Sequence, residues 1–463
     1  MEEAGQYNQC TKEELIQIIM DQNQIMKDLM QTVADLKKEI EALKPPVPKD
    51  STNSSIPSSK ELIPRTRSQR EKSGKKPGGQ QGHVGHHRER NPHPDNIVKV
   101  QASYCTDCGA SLSEVEGTIG RTAQEVDIPV ITPLTTEYQQ LLKVCVCGHC
   151  NCPPLPIEGY ATIGPRMGAL ISYFNVEHAL PYDRLSQITH DLLGFAVSEG
   201  TIANKLTQMQ KQAKGIVESI KQLVMDAGFL GSDETTTSVG GKKFWEWVWQ
   251  SPLASYFVID RRRGYDVVKE HFTENYQGVL GHDCWCAQNK TPAGAHQLCH
   301  AHLLRNLQYA IDAERSIWAY QVQRLLRKSQ RAREQIWKAG VSPKQREAII
   351  QYYKDALDTL NRMTLTQKEE QRLQKRFIKH KDWIFTFLAY PDVPPDNNSS
   401  ERAIKAAKLK DKVSGGFRSV PGAIRFAQLL SLTQTLRKQE LPLLPTLTAI
   451  FQGNGGAVSL RSA

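Results

Sequence analysis

The chain reads as a multidomain α/β protein, and three observations carry that reading. From residue 226 onward, short β-branched and aromatic runs alternate with turn residues, the pattern of a sheet. Residues 303–390 then read as amphipathic helices carrying Trp318, Leu325, Leu326, Ile336, Trp337, Phe377 and Trp383. Before the sheet, the chain changes character several times. The expected segments are a coiled-coil helix at 1–44, a basic flexible linker at 45–100, a cysteine module at 101–152 and a helical region at 153–225. A sheet-bearing core follows at 226–430, with a helical insertion at about 303–390, and a C-terminal tail at 431–463.

At 463 residues the chain is long enough for more than one core, and its 39% apolar and 23% charged content is ordinary for a folded water-soluble protein. No apolar run reaches membrane-spanning length, so no membrane contact is expected. The start is polar and holds Glu2 and Glu3, unlike a signal peptide, which makes a cytoplasmic location the expectation. The net charge of +10 favours a polyanionic partner, because lysine and arginine displace condensed counterions from phosphates.

In the first segment Leu15, Ile19, Gln22, Met26, Leu29, Val33, Leu36, Ile40 and Leu43 recur at alternating steps of four and three. That is the seam of a coiled coil and predicts a homo-oligomer. Pro45 and Pro46 end the helix. The linker is rich in Ser, Pro, Gly and basic residues, and Lys60, Arg65, Arg67, Arg70, Lys72, Lys75 and Lys76 form an arm suited to DNA phosphates or simply to solvent.

The cysteines are informative through their positions. Cys105-x-x-Cys108 and Cys147-x-x-Cys150 form two knuckles, and zinc takes four soft ligands in a tetrahedron. Cys145, His149 and Cys152 crowd the second knuckle and leave its ligands open. Between the knuckles, 122–132 and 135–144 are strand-like. Further on, Arg184 to Leu193, a Gly194 turn and a helix capped by Ser198 match a helix-turn-helix that reads DNA, or a plain helical hairpin.

In the core, Gly228 to Val239, Lys243 to Gln250 and Ala254 to Asp260 form a predicted three-strand meander. A helix at Gly264 to Phe272, a strand at Gly278 to Asp283 and a short strand at His296 to Cys299 follow. This is a ribonuclease-H-like order, with acids at strand ends. It puts Asp233 on the first, central strand and Asp283 at the end of the strand beside it. Glu401 stands in the first turn of a later helix, the helical insertion accounting for its distance in sequence, with Arg402 next to it to neutralise a phosphate. Three carboxylates of this kind are hard ligands for magnesium. Asp260, Asp266 and Asp396 compete as acids, and each acid taken alone reads equally as a turn former or a helix-end charge.

Several short motifs run in order along nearly the whole chain. They are Asn53-Ser-Ser-Ile-Pro-Ser-Ser59, Gly78-Gly-Gln-Gln-Gly-His83, the cysteine knuckles, Leu180-Pro-Tyr-Asp-Arg184 and Ser198-Glu-Gly-Thr-Ile-Ala-Asn204. Asp233-Glu-Thr235, Gly278-Val-Leu-Gly-His-Asp283, Cys299-His-Ala-His-Leu-Leu-Arg305, Asn397-Asn-Ser-Ser-Glu-Arg402 and Gly415-Gly-Phe-Arg-Ser419 continue the series. In this the chain resembles transposases of the insertion-sequence-66 family.

The resemblance implies a DDE catalytic domain with Asp233, Asp283 and Glu401 as triad and Mg2+ or Mn2+ as cofactor. It also implies a zipper-like N-terminal helix and a Zn2+ module. The activity implied is cleavage at mobile-element ends and strand transfer of the 3′-hydroxyl into target DNA. DNA, a second copy of the chain and accessory proteins of the same element are the implied partners, and the nucleoid the implied location. Cys299-x-x-His302 matches a signature found after the second Asp of several transposase groups, with support of the acid cluster as its suggested role. Thr236 stands where the family often has proline, and Cys284-Trp285 follow the second Asp in place of the usual pair. The alternatives are a DNA-binding regulator on an inactive scaffold and a nuclease without strand transfer.

Overall fold

A computed structural model describes residues 24, 26–32, 35, 49, 78–80, 82–85, 88–157, 159 and 162–462. Residues 26–32 are helical, and most of the expected coiled-coil seam and basic linker lies outside the described residues. In chain order the strands are β1 (Lys143–Val144), β2 (Cys150–Asn151), β3 (Phe229–Val239), β4 (Lys242–Gln250), β5 (Ser255–Asp260), β6 (Val279–His282) and β7 (Ala295–Leu298). The helices are α1 (Pro165–Val176), α2 (Tyr182–Leu193), α3 (Glu199–Gln212), α4 (Lys214–Met225), α5 (Tyr265–His271), α6 (Cys286–Asn289) and α7 (His300–Glu314). They continue with α8 (Ile317–Lys338), α9 (Pro343–Asn361), α10 (Lys368–Lys379), α11 (Asn398–Ser414), α12 (Val420–Lys438) and α13 (Leu443–Phe451). The chain divides into two compact units, one centred on Val217–Lys408 and the other on Arg67–Ile216 with Leu409–Leu460.

The first unit is built on a mixed sheet in the order β5-β4-β3-β6-β7. β3, β4 and β5 form an antiparallel meander, and β6 and β7 add in parallel beside β3. Gly240 and Gly241 join β3 to β4 with φ of 57° and 71°, the left-handed pair that a tight hairpin needs and that glycine takes at least cost. The meander, the helix and the two later strands predicted from sequence all form, within a residue or two at their ends.

The stretch read as amphipathic helices forms α7 to α10. Leu303, Leu307, Trp318, Val322, Leu326, Leu357, Leu373 and Phe377 form one apolar cluster with Phe229, Val279 and Leu298 of the sheet. The helix starts are capped as their sequences demand. Ser316 caps α8, Ser342 and Gln345 form a capping box on α9, and the Glu314 carboxylate accepts the Glu369 and Glu370 N–H groups of α10 at 2.8 and 2.9 Å.

In the second unit α1, α2, α3, α12 and α13 pack together, burying Ile171, Leu185, Ile202, Leu206, Met209, Leu432, Leu436 and Phe451. The segment expected as a C-terminal tail therefore holds the end of one buried helix and the whole of another. Its leucines were legible, but the absence of a charged face on α12 hides helical periodicity: that helix is buried nearly all round.

The strand-like segments 122–132 and 135–144 also differ from expectation. Only Lys143–Val144 pairs, with Cys150–Asn151. Ile128, Val130, Leu134 and Leu141 are exposed, so their alternation meets no opposing surface, and a strand needs such a surface as well as propensity. No helix among the described residues is long and apolar enough to cross a membrane.

Candidate active site

Asp233 lies on the central strand and Asp283 one residue past the end of β6, which pairs with β3 from Phe229↔Val279 to Gly231↔Gly281. Continued by two residues, that parallel register sets Asp283 opposite Asp233, which stays within β3 and pairs with Val248 on its other side, so two acids distant in sequence stand on neighbouring segments. The turn after Asp283 is sharp: Cys284 holds φ of 75°, a costly value for a residue with a side chain. Asp283 Oδ1 accepts the Trp285 N–H at 3.0 Å, and Cys284 N–H reaches His282 Nδ1 at 3.1 Å.

Glu401 arrives on α11, whose start is fastened to the central strand. Asn397 Nδ2 donates to the Ser232 carbonyl at 2.7 Å, Ser400 Oγ to Asn397 Oδ1 at 2.6 Å, and Gln250 Nε2 to Ser399 Oγ at 2.6 Å. Farther along α11, Lys408 donates to the Thr236 carbonyl. Gly231 makes the approach possible: a Cβ there would lie 2.3 Å from Ser400 Oγ and 2.6 Å from Asn397 Oδ1.

The result is a cluster of acids that feel one another. The Asp233 carboxyl is held well above the usual carboxylate range, first by desolvation, then by the charges of Asp283, Glu234 and Glu401, against the pull of a Glu234 N–H. A site that leaves carboxylates repelling one another is one that a divalent cation would relieve. The oxygen-rich, hard donor set suits magnesium or manganese.

Glu234 is a member of the cluster that sequence reasoning passed over. Desolvation and Asp283 raise it to about 7, while Arg263 and Gln288 oppose the rise. Its side chain is 1% exposed, paired with Arg263 at 2.8 Å and hydrogen-bonded by Gln288 Nε2 at 2.8 Å. Arg263 in turn lies over the Trp245 and Trp285 rings at 4.2 and 3.4 Å. The Asp233-Glu-Thr235 motif held the signal for Glu234; nothing local in sequence marks Arg263.

Arg305 Nη2 pairs with Glu401 Oε1 at 2.9 Å, and His302 Nδ1 lies 3.7 Å from the same oxygen. Of the competing acids, Asp260 is committed to Arg262 at 2.8 Å and His271 at 3.2 Å, which hold it down to about 2. Asp396 Oδ1 accepts the Asn398 N–H, and Asp266 is exposed on α5. Arg402 is exposed beside Glu401.

The cysteine knuckles form two separate turns. Cys105 is favoured as thiolate by the N–H groups of Cys108 and Asp107 and by the Cys108 thiol. In the second turn the Cys147 N–H and thiol hold Cys145 below the usual thiol range. Gly109 and Gly148, with φ of 72° and 81°, complete the two turns. Among the described residues, cysteines of the two turns do not come within ligand distance of a common point. The predicted hairpin of α2 and α3 forms around Gly194 at φ 74°, with Ser198 Oγ accepting the Thr201 N–H.

The mixed α/β unit thus carries acids on two adjacent strand segments and on a helix pinned to the central strand. The family model for the transposase IS66 family matches residues 161–425, and the chain belongs to that family. The chain is also similar to the uncharacterized protein y4jO of Sinorhizobium fredii, at 24% identity over 150 residues. That stretch is 31% of this chain and 44% of the relative, so the match spans less than half of the relative's length.

Proposed function

We propose that the protein is a DNA transposase with a ribonuclease-H-like core, in which Asp233, Asp283 and Glu401 hold the catalytic metal ions. What supports this reading is that the Asp233 carboxyl on β3 feels the charges of Asp283, just past the end of β6, and of Glu401, at the start of α11, although the oxygens of the three do not all lie within 4.8 Å of one another. Magnesium or manganese bound there supplies positive charge at the phosphate being cut and favours ionisation of the attacking oxygen. Asp233 and Asp283 are held by the β3–β6 pairing and Glu401 by the Asn397 and Ser400 bonds at the start of its helix, so a bound cation would draw in side chains carried on fixed backbone. Arg305 keeps Glu401 compensated until a cation is present.

Two displacements follow in the proposed reaction. Water attacks a phosphodiester at the element end, and the 3′-oxygen leaves as a hydroxyl. That hydroxyl then attacks a target phosphodiester, forming one bond as another breaks. No protein nucleophile is needed. The Cys105, Cys108, Cys147 and Cys150 turns, with Cys145 beside them, form the proposed zinc module, and the α2–α3 hairpin and basic linker the proposed contacts to DNA. The N-terminal helix is proposed to pair protomers so that two element ends meet.

The test is magnesium- or manganese-dependent cleavage and strand transfer on DNA carrying the element's ends, comparing wild type with Asp283→Ala. Loss of both activities with DNA binding retained supports the assignment. Equal activity in the two proteins refutes it. Binding without chemistry in either protein favours a regulator on an inactive scaffold, and cleavage without joining favours a nuclease.

A further inference from the structure

We propose that Cys299 Sγ, His302 Nδ1 and Glu401 Oε1 form a site for a zinc-class divalent cation that ties the start of α7 to the start of α11. The ligand atoms of the three residues all lie within 4.8 Å of one another, close enough for one ion to span them with small side-chain adjustments. Sulfur, imidazole and carboxylate are a mixed, borderline-soft donor set, which selects zinc over the magnesium suited to the neighbouring all-oxygen cluster.

Two further features point to a ligand here. His302 Nδ1 is buried and has no hydrogen-bond partner, although a buried ring nitrogen ordinarily finds one. Its 3.7 Å separation from Glu401 Oε1 is too long for a hydrogen bond and short enough for both to face a common ion. Cys299 Sγ, fully buried, accepts N–H groups from Asn397 at 3.1 Å and from His302. Two donors aimed at one sulfur stabilise a thiolate, the form a metal binds. A cation entering here would displace the thiol proton to solvent and take the lone pair of the imidazole.

The placement gives the site a consequence. Cys299 ends β7's connection into α7, and Glu401 is the acid proposed to complete the catalytic cluster. An ion here would lock the helix that carries Glu401 against the helix that carries His302. Arg305, 2.9 Å from the same Glu401 oxygen, competes with the ion for it. Removing Arg305 should therefore strengthen metal binding.

The experiment uses the full chain with Cys105, Cys108, Cys145, Cys147, Cys150 and Cys152 all changed to Ser, titrated anaerobically with Co2+. One equivalent should bind, with a thiolate-to-cobalt charge-transfer band and tetrahedral ligand-field bands, and one equivalent of Zn2+ should bleach both. In that background Cys299→Ser should abolish the charge-transfer band. His302→Gln, which keeps the thiol, should weaken cobalt binding at least about tenfold, and Arg305→Gln should tighten it. No band in the parent chain under excess cobalt overturns the proposal, as does a band that survives Cys299→Ser in a chain with unchanged circular dichroism. If Cys299→Ser fails to fold, the His302→Gln titration decides: unchanged affinity overturns the site. Because cobalt absorption is read without DNA, the result stands apart from the transposase test. A silent Asp283→Ala comparison with a cobalt band present would refute the reaction and leave the metal site standing.

Discussion

Gly231→Ala tests whether the contact between α11 and the central strand positions the third carboxylate. The new Cβ would stand 2.3 Å from Ser400 Oγ and 2.6 Å from Asn397 Oδ1, both well inside contact distance. Rotating Ser400 away sacrifices its buried bond to Asn397, and shifting Asn397 stretches its bond to the Ser232 carbonyl. Each lost buried bond costs about 1 kcal/mol, and overpacking of this kind falls at about 1–3 kcal/mol in total. For a domain of this class that lowers the melting temperature by roughly 2–4 °C per kcal/mol. The larger effect should fall on chemistry, because Glu401 follows Ser400, and a misplacement of about 1 Å can reduce a rate by roughly a hundredfold. Urea denaturation and metal-dependent DNA cleavage measure the two effects. Ser400→Ala in the same chain removes the closest clash and should restore part of both. Stability within about 0.5 kcal/mol of wild type, together with undiminished cleavage, would refute the reasoning.

Asn397→Ala should cost about 1–3 kcal/mol by leaving the Ser232 carbonyl unbonded, and Asn397→Asp more, since it sets an acceptor against that carbonyl; chemical denaturation ranks the two. Leu326→Ala, at the centre of the helical cluster, should cost about 2–5 kcal/mol, against about 1–2 kcal/mol for Glu314→Ala, which removes only the cap on α10; a reversed order would contradict the packing described. His296 is buried against Trp383 and His282 and is held down to about 4 from an ordinary 6.5. The unfolded chain therefore takes the proton first, so stability should rise with pH between about 4 and 6.5, by up to about 1.4 kcal/mol per unit from this group. His296→Phe should flatten that slope in a pH series of urea midpoints, and an unchanged slope would exclude His296 as its source.

Much of the sheet was legible because its signals are local. Strand alternation, the Gly240-Gly241 turn and the acids at strand ends can be read within windows of a few residues, and they place Asp233, Asp283 and Glu401 on the elements where the structure has them. Ser198 announced a helix start for the same reason: a cap acts on a backbone only three residues away. The helical insertion was legible through its apolar stripes. The exposed segment 122–132 misled because alternation records a preference for a half-buried surface, and only the fold decides whether that surface exists.

By itself, then, the sequence determined the elements of the sheet at 228–299, their order and the residue types of the acid cluster, all properties of short stretches of chain. The tertiary structure decided what those residues meet. Glu234 joined the cluster because the β6 end brings Asp283 beside it, and Arg263 reached Glu234 from a loop beyond β5. Gly231 matters only because α11 crosses at that point. The unpartnered His302 Nδ1 became a ligand candidate only when Cys299 and Glu401 were found around it. Charge interaction and steric contact act through space over a few ångströms, and separation along the chain carries no record of them.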